Sequence, residues 1–230
     1  MAFWNKSKKP DEAPSTEQRH TGIRHMLDLI SLDTNTWQFD GEDVEQMSRQ
    51  WITSDLDIVS LNFFPVTPNL PATGNKSDFV SFINELLLEV NGRLVELKIR
   101  PFAGIHAVYQ IVKFPIPNRE HGMVYIGSWT LPYKDMSYVI KTQCEEQGMT
   151  GMRESLLFAQ DRAGSAGHRV EDGKLVMPDW NPDAEEFDAE FPSHPISRLR
   201  HVMKHLELTT TISENLSKAI TFPLPESTKE

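Results

Sequence analysis

Two histidines, His201 and His205, are four residues apart in a segment with helical periodicity. Residues at this spacing share one face of a helix, where two imidazoles can bind the same metal ion. A site of this kind needs at least a third ligand, which the acidic residues Asp179 or Asp183 could supply. These four residues define one hypothesis, a metal-dependent hydrolase. The segment lacks the glutamate of the zinc-protease motif. The favoured alternative is therefore a basic helix face, with Arg198, Arg200 and Lys204, that neutralises the acidic segment before it.

Two other side chains have the chemistry of a nucleophile. Cys144 could react with His106 or His121 as its base, but a cysteine at the end of a strand more often packs in the core. Ser128 stands in Gly-Ser-Trp, which lacks the second glycine of a nucleophile elbow. A single cysteine also excludes an intramolecular disulfide and a cysteine-built zinc site. The sequence thus predicts no catalytic residue, no resident metal and no cofactor.

A glycine-containing segment from Gly148 to Arg153 precedes a predicted helix. Its backbone N–H groups could bind an anion, with Arg153 adding positive charge. The segment has neither the length nor the lysine of a phosphate-binding loop. We therefore favour a helix cap at Thr150, with the glycines forming the tight turn.

Four aromatic residues lie close together on two adjacent predicted strands and the turn between them: Tyr125, Trp129, Tyr133 and Tyr138. Some of these rings must be cross-strand neighbours in an antiparallel pair. They either fill the core, which is the default, or form an exposed patch that binds a partner protein. With Arg153, they are the partner-binding candidates.

The negative charge is concentrated in one segment. The chain carries 23 basic and 33 acidic residues, a net charge of −10, which argues against nucleic-acid binding. Residues 169–192 hold much of this excess and form a predicted acidic loop. The loop is either solvated or binds a basic partner. Its candidate residues are Asp179, Asp183, Glu185, Glu186 and Asp188.

The hydrophobic pattern predicts one α+β domain. Alternating residues and short turns indicate four consecutive strands, which must be antiparallel because parallel neighbours need a long crossover. With the other elements, this predicts a sheet of about five or six strands with helices packed on both faces. The predicted strands are 57–66, 94–100, 105–114, 123–131 and 137–144. The predicted helices begin near Asp40, at Ser77, after Thr150 and at Pro195.

The two ends of the chain are polar. We expect residues 1–20 to form a flexible arm, residues 21–220 to form the single domain and residues 221–230 to form a flexible tail. Phe3 and Trp4 stand out in the arm and could dock on the body or on a partner. No apolar stretch is long enough for a secretory signal or a membrane span, so we expect a soluble, cytoplasmic protein.

One long run, from Tyr125 to Ser155, resembles a group of uncharacterised bacterial proteins. Those proteins often end, as here, in an acidic stretch that leads to a Phe-Pro-x-His-Pro-x-Ser-Arg element, Phe191 to Arg198. The order of elements from about 55 to 162 is also similar to the PsbP-like sandwiches. That resemblance implies helices on both faces of an antiparallel sheet. It also implies a binding protein, since the class includes photosystem subunits, a Ran-binding factor and chaperones for secreted bacterial effectors.

The sequence therefore favours a non-enzymatic protein-binding domain, adaptor-like or chaperone-like, whose partner is another protein. A metal-dependent hydrolase that uses His201 and His205 is one alternative. A pocket for a small ligand between sheet and helix is the other.

Overall fold

The computed structural model describes residues 25–71, 75–160, 169–171, 174–176 and 181–224. The predicted N-terminal arm with Phe3 and Trp4, most of the predicted tail, and Asp179 lie outside these residues.

One antiparallel sheet of seven strands organises the described part of the chain, in the order β2-β3-β4-β8-β7-β6-β5. Its strands are β2 (Gln38–Asp43), β3 (Ser48–Ile52), β4 (Ile58–Phe64), β5 (Arg93–Phe102), β6 (Ile105–Pro115), β7 (Met123–Pro132) and β8 (Ser137–Glu145). Two short pairs lie outside it: β1 (Ile30–Ser31) with β11 (Thr211–Ile212), and β9 (Arg169–Glu171) with β10 (Lys174–Val176).

The predicted run of four strands is confirmed as the meander β5 to β8. A tight turn joins β5 to β6, and both Ala103 (φ 47°) and Gly104 (φ 83°) adopt positive φ there. Cross-strand pairs such as Tyr109↔Trp129 and Trp129↔Ile140 set the register across the centre of the sheet.

The helix predicted to begin near Asp40 is wrong, because the segment forms the hairpin β2–β3. The Asp43 side chain accepts a hydrogen bond from Gln46 N, and Met47 has a φ of 52°, so the chain reverses there and does not continue as a helix. The prediction depended on Val44, Met47 and Trp51, whose spacing fits one face of a helix, although this segment forms two strands and a turn. The hairpin extends the sheet beyond the five or six strands expected.

Four helices have defined bounds: α1 (Lys76–Leu88), α2 (Met152–Ala159), α3 (Pro195–Thr209) and α4 (Glu214–Ser217). The predicted start of α3 at Pro195 is confirmed, and His194 is its N-cap. The predicted cap at Thr150 is wrong by one residue. Gly151, with a φ of 68°, precedes α2 and makes no side-chain cap.

Apolar residues pack on both faces of the sheet, which confirms the predicted α+β class with helices on each side. On one face, α3 buries Ile196, Leu199, Val202, Met203 and Leu206 against the central strands.

On the other face, α1 buries Phe79, Ile83 and Leu87 against Leu97, Val108 and Val112. Asn75 is the N-cap of α1, two residues before the predicted Ser77. The helical spacing of the apolar residues Phe79, Phe82, Ile83, Leu86 and Val90 predicts that all five face the core, but Leu86 and Val90 are exposed.

Gly127 allows α3 to lie close to β7. A Cβ at this position would be 2.8 Å from Leu199 Cδ2 and 3.0 Å from Met203 Cγ, so even one methyl group overlaps the helix. We expect Gly127→Ala to lower the free energy of unfolding by about 1–3 kcal/mol through overpacking, measured by urea denaturation. In the double variant with Met203→Ala the loss should be smaller than the sum of the two single losses. Simple additivity would contradict this contact.

Candidate functional site

The four aromatic candidates belong to the core. Tyr125, Trp129, Tyr133 and Tyr138 are fully buried. Trp129 packs on Phe102, with 4.6 Å between ring centroids. Burial also raises the pKa of Tyr133 to about 12. These four rings therefore fill the core. The alternative prediction, an exposed aromatic patch that binds a partner, is wrong because none of the four rings is accessible.

Arg153 is also fully buried, although it was a partner-binding candidate. Its guanidinium donates to Pro182 O (2.7 Å), Ala184 O (2.7 Å), Asp188 Oδ1 (3.0 Å) and Ser197 Oγ (3.0 Å). All of its nitrogens are thus occupied by the 181–188 segment and the first turn of α3. Arg153 holds that segment against α2 and is not available to bind an anion.

Some acids of the predicted loop point inward and others outward. Asp183 is buried, pairs with Lys113 and accepts a hydrogen bond from Tyr125 OH (3.3 Å). Asp188 pairs with Arg200 of α3 at 3.0 Å. This contact agrees with the prediction that the basic face of the following helix neutralises the acidic segment. Glu185 and Glu186 are exposed on a short 3-10 helix, Glu185–Phe187. Of the candidate acids that the structure describes, these two are the ones whose side chains lie exposed.

The two histidines of the hydrolase hypothesis do not form a metal site with Asp183. His205 Nε2 lies 2.8 Å from Asp33 O, so this nitrogen carries a proton and donates to the carbonyl. The ring also packs on Trp37, with 5.3 Å between centroids. His201 is exposed, and Asp183 pairs with Lys113, so among the described residues these three side chains do not come together around a metal ion. Asp179, the other acid of the hypothesis, lies outside the described residues.

Cys144 is fully buried, and burial raises the pKa of its thiol. Only the thiolate reacts readily, so we expect modification by a thiol reagent to be roughly 100-fold or more slower in the native protein than in urea. Absorbance of the released chromophore measures this rate. In a Ser155→Cys variant, the added thiol at an exposed helix position should react at once. Rapid native labelling of Cys144 would show that the strand end opens.

An open cleft lies between α2 and the start of α3. Its volume is about 340 Å³. Met149, Met152, Phe191 and Pro195 supply its apolar lining, and the polar lining is Glu146, Gln147, Arg153, Ser193, His194 and Arg198. The buried Arg153 network fixes one wall of the cleft, since it joins α2 to the segment before α3.

Exposed apolar side chains continue from the cleft along α2. Met149, Met152 and Leu156 are 75%, 45% and 44% exposed. Met152 and Leu156 are four residues apart on α2 and share one face of that helix. Met149, in the turn before α2, lines the cleft together with Met152. These three side chains form the apolar stripe of the site.

Glu146 forms part of the cleft floor. Its carboxylate accepts hydrogen bonds from Met123 N (2.8 Å) and Gly151 N (3.1 Å) and thereby connects β7 to the start of α2. Burial alone would raise the pKa of Glu146, but His194 and the two backbone N–H groups outweigh burial and lower it. Glu146 is therefore an ionised, buried acid.

Within the described residues, one group of three side chains could hold a metal ion. The ligand atoms of Glu146, Glu154 and His194 all lie within 4.8 Å of one another. Sequence reasoning missed this group because its members are 8 and 40 residues apart and belong to three separate elements. The available signals were weak: Glu154 lies in the first turn of α2, His194 directly precedes α3, and Glu146 directly follows β8.

Arg198 closes the base of the site. Its guanidinium forms a two-pronged ion pair with the buried Asp57, at 2.9 Å and 2.8 Å. This pair joins α3 to the loop before β4. Arg198, which was expected on an exposed basic face of the helix, therefore forms a largely buried ion pair.

Comparison with known proteins identifies no family. No protein-family model and no curated protein matches the chain, so the resemblance to a bacterial family stays a prediction. Two solved structures of Mog1 are similar to it. A point mutant of Mog1 is 11% identical, with a TM-score of 0.44 over 82% of this chain and 94% of Mog1. The Saccharomyces cerevisiae Ran-binding protein Mog1p is 10% identical, with a TM-score of 0.45 over 82% and 93%.

A third similar structure comes from Bacteroides thetaiotaomicron. It is 14% identical, with a TM-score of 0.30, over 54% of this chain and 41% of that one. Similarity at these levels identifies neither a family nor a function for this chain. Among the described residues, no helix has the length and apolar character needed to cross a bilayer.

Proposed function

We propose that the chain is a non-enzymatic protein-binding module, adaptor-like or chaperone-like, and that it binds its partner through the cleft and the apolar stripe. The observation that carries this proposal is the stripe of Met149, Met152 and Leu156, exposed beside a cleft with apolar lining. Contiguous exposed apolar surface of this kind marks interaction sites in proteins.

The composition of the stripe suits a peptide segment better than a small molecule. Methionine is unbranched and polarizable, so it adapts to side chains of different shape. The cleft is open, and its volume of about 340 Å³ is near the lower end for small-molecule sites. It can receive one or two side chains of a partner.

Charge specifies the partner further. Glu185 and Glu186 are exposed, and the chain carries a net charge of −10. A basic segment is attracted to such a surface. The proposed occupant is therefore a segment of another protein with an apolar anchor flanked by lysine or arginine.

Selection from a phage-displayed library of random linear peptides tests this function. Peptides selected on the wild type should combine a large apolar residue with basic neighbours. They should lose at least about tenfold in affinity for a Met149→Gln, Met152→Gln variant, because a polar amide on the stripe opposes apolar contact and adds no negative charge that would attract the basic flanks. Affinities are measured by fluorescence anisotropy at low salt and at high salt.

Leu208→Gln is the matched control. Leu208 is 71% exposed on α3, thirteen residues after Pro195 and hence roughly 20 Å along the helix. Selected peptides should bind this variant as they bind the wild type. Equal binding to all three proteins, or selection of acidic polar peptides, would reject the proposed surface.

A further inference from the structure

The group of Glu146, Glu154 and His194 combines ligand types that favour a cation. Two carboxylates and one imidazole come from the end of β8, from α2 and from the N-cap of α3. His194 Nε2 lies 3.8 Å from Glu146 Oε1, with both side chains more than nine-tenths buried. The tertiary structure therefore assembles the group below the surface, with Glu146 buried and Glu154 and His194, as whole residues, partly buried.

Two buried polar atoms of this group have no hydrogen-bond partner: His194 Nε2 and Glu154 Oε2. Buried polar atoms in proteins are almost always paired with protein, water or an ion. Both atoms belong to side chains whose ligand atoms converge on the same space. A ligand placed between them would satisfy both.

The charge of that ligand follows from the neighbours. Two carboxylates close together in a buried site repel each other unless a positive charge lies between them. Arg153 and Arg198 also line the cleft, but their guanidinium groups bind other acceptors, chiefly Asp188 and Asp57. Lys113 pairs with Asp183. None of these three cations is directed at the two glutamates.

We propose that Glu146, Glu154 and His194 bind one divalent transition-metal cation, Zn²⁺ or Mn²⁺. Imidazole suits Zn²⁺ and carboxylate suits Mn²⁺, so a mixed set of one nitrogen and two oxygen ligands accommodates either. Three protein ligands leave at least one coordination position for water or a group of a bound partner. Glu146 and His194 line the first cleft and Glu154 lines a second one of about 460 Å³, so the ion can enter from solvent.

Metal binding changes the hydrogen bonding of His194. Its Nδ1 accepts from Ile196 N at 3.3 Å, so without metal the ring proton is on Nε2. Coordination through Nε2 moves that proton to Nδ1 and ends the cap on Ile196. The cap is a long hydrogen bond, and a helix cap contributes far less free energy than a metal site. Binding should therefore proceed, with a local change at the start of α3.

Titration of the purified chain with Zn²⁺ and with Mn²⁺ tests the site. Isothermal titration calorimetry should show saturable binding of one ion per chain, and NMR should show a shift of the Ile196 amide signal. Glu154→Gln and His194→Asn should each weaken binding roughly 10–100-fold. Asparagine is a good N-cap, so His194→Asn keeps the start of α3 while it removes the imidazole.

His201→Asn and Glu186→Gln are the matched controls, since both residues are exposed and lie outside the group. They should bind metal like the wild type. Absence of saturable binding by the wild type, or wild-type affinity in Glu154→Gln and His194→Asn variants with native circular dichroism, would overturn the proposal. Loss of binding in the His201→Asn variant would assign the ion to a different site and also overturn it.

Discussion

Arg153→Met is expected to lower the free energy of unfolding by about 3–5 kcal/mol. The side chain is fully buried and pairs with Asp188, which is 19% exposed. Methionine keeps much of the volume and removes the charge. The variant leaves Arg200 as the described cation that pairs with Asp188, and it removes the donors to Pro182 O and Ala184 O. Breaking a buried ion pair from one side costs more than the pair contributes, because the remaining groups stay buried and unpaired.

Urea denaturation followed by circular dichroism measures this loss. Hydrogen exchange should also show faster exchange in residues 181–188, because Arg153 donates two hydrogen bonds to that backbone. Arg119→Met is the matched control, since Arg119 is 59% exposed and its contact with Glu145 is 3.9 Å. That change should alter stability by less than about 0.5 kcal/mol. Equal effects of the two substitutions would contradict the network.

Trp129→Ala should destabilise the chain by about 3–5 kcal/mol. The indole lies at the centre of the sheet, fully buried between Phe102 and Tyr109, with ring centroids at 4.6 Å and 4.9 Å. The guanidinium of Arg100 stands 5.0 Å above the ring. Alanine would leave a large cavity in a rigid sheet that cannot collapse to fill it. This variant therefore reports on folding and not on partner binding.

Thermal and urea unfolding measure the effect. Trp129→Phe should lose much less stability, because it keeps a ring at the contact. Phe158→Ala removes an aromatic side chain that is 50% exposed, and it should cost less than half as much as Trp129→Ala. A small loss of stability in Trp129→Ala, together with weaker partner binding, would contradict this prediction and indicate that Trp129 contacts the partner.

Local patterns predicted most of the large elements. Strict alternation identified β5, and a proline at the first helical position identified the start of α3. These signals depend on neighbours along the chain, so a single sequence contains them. The helix prediction for the segment from Asp40 to Trp51 was wrong because it, too, depended only on neighbours along the chain. Its spacing fits a helix locally, and pairing with β4 decides otherwise.

The site residues were harder to predict because burial is not a local property. Alternation indicated that Trp129 and Tyr125 share one side of β7, but only the packing of α3 on that face shows that they are inaccessible. Arg153 is a charged residue next to a glycine turn and was expected at the surface. Its burial depends on acceptors 29 to 44 residues away.

The sequence by itself determined the α+β class, the antiparallel meander and the concentration of acidic residues before α3. Each of these follows from composition or periodicity over a few neighbouring residues. The tertiary structure alone decided that Glu146, Glu154 and His194 converge, while His205 contacts Asp33 and His201 faces solvent. Convergence depends on how α2 and α3 pack against the end of β8. That packing is set by long-range contacts, including the Arg153 and Arg198 ion pairs.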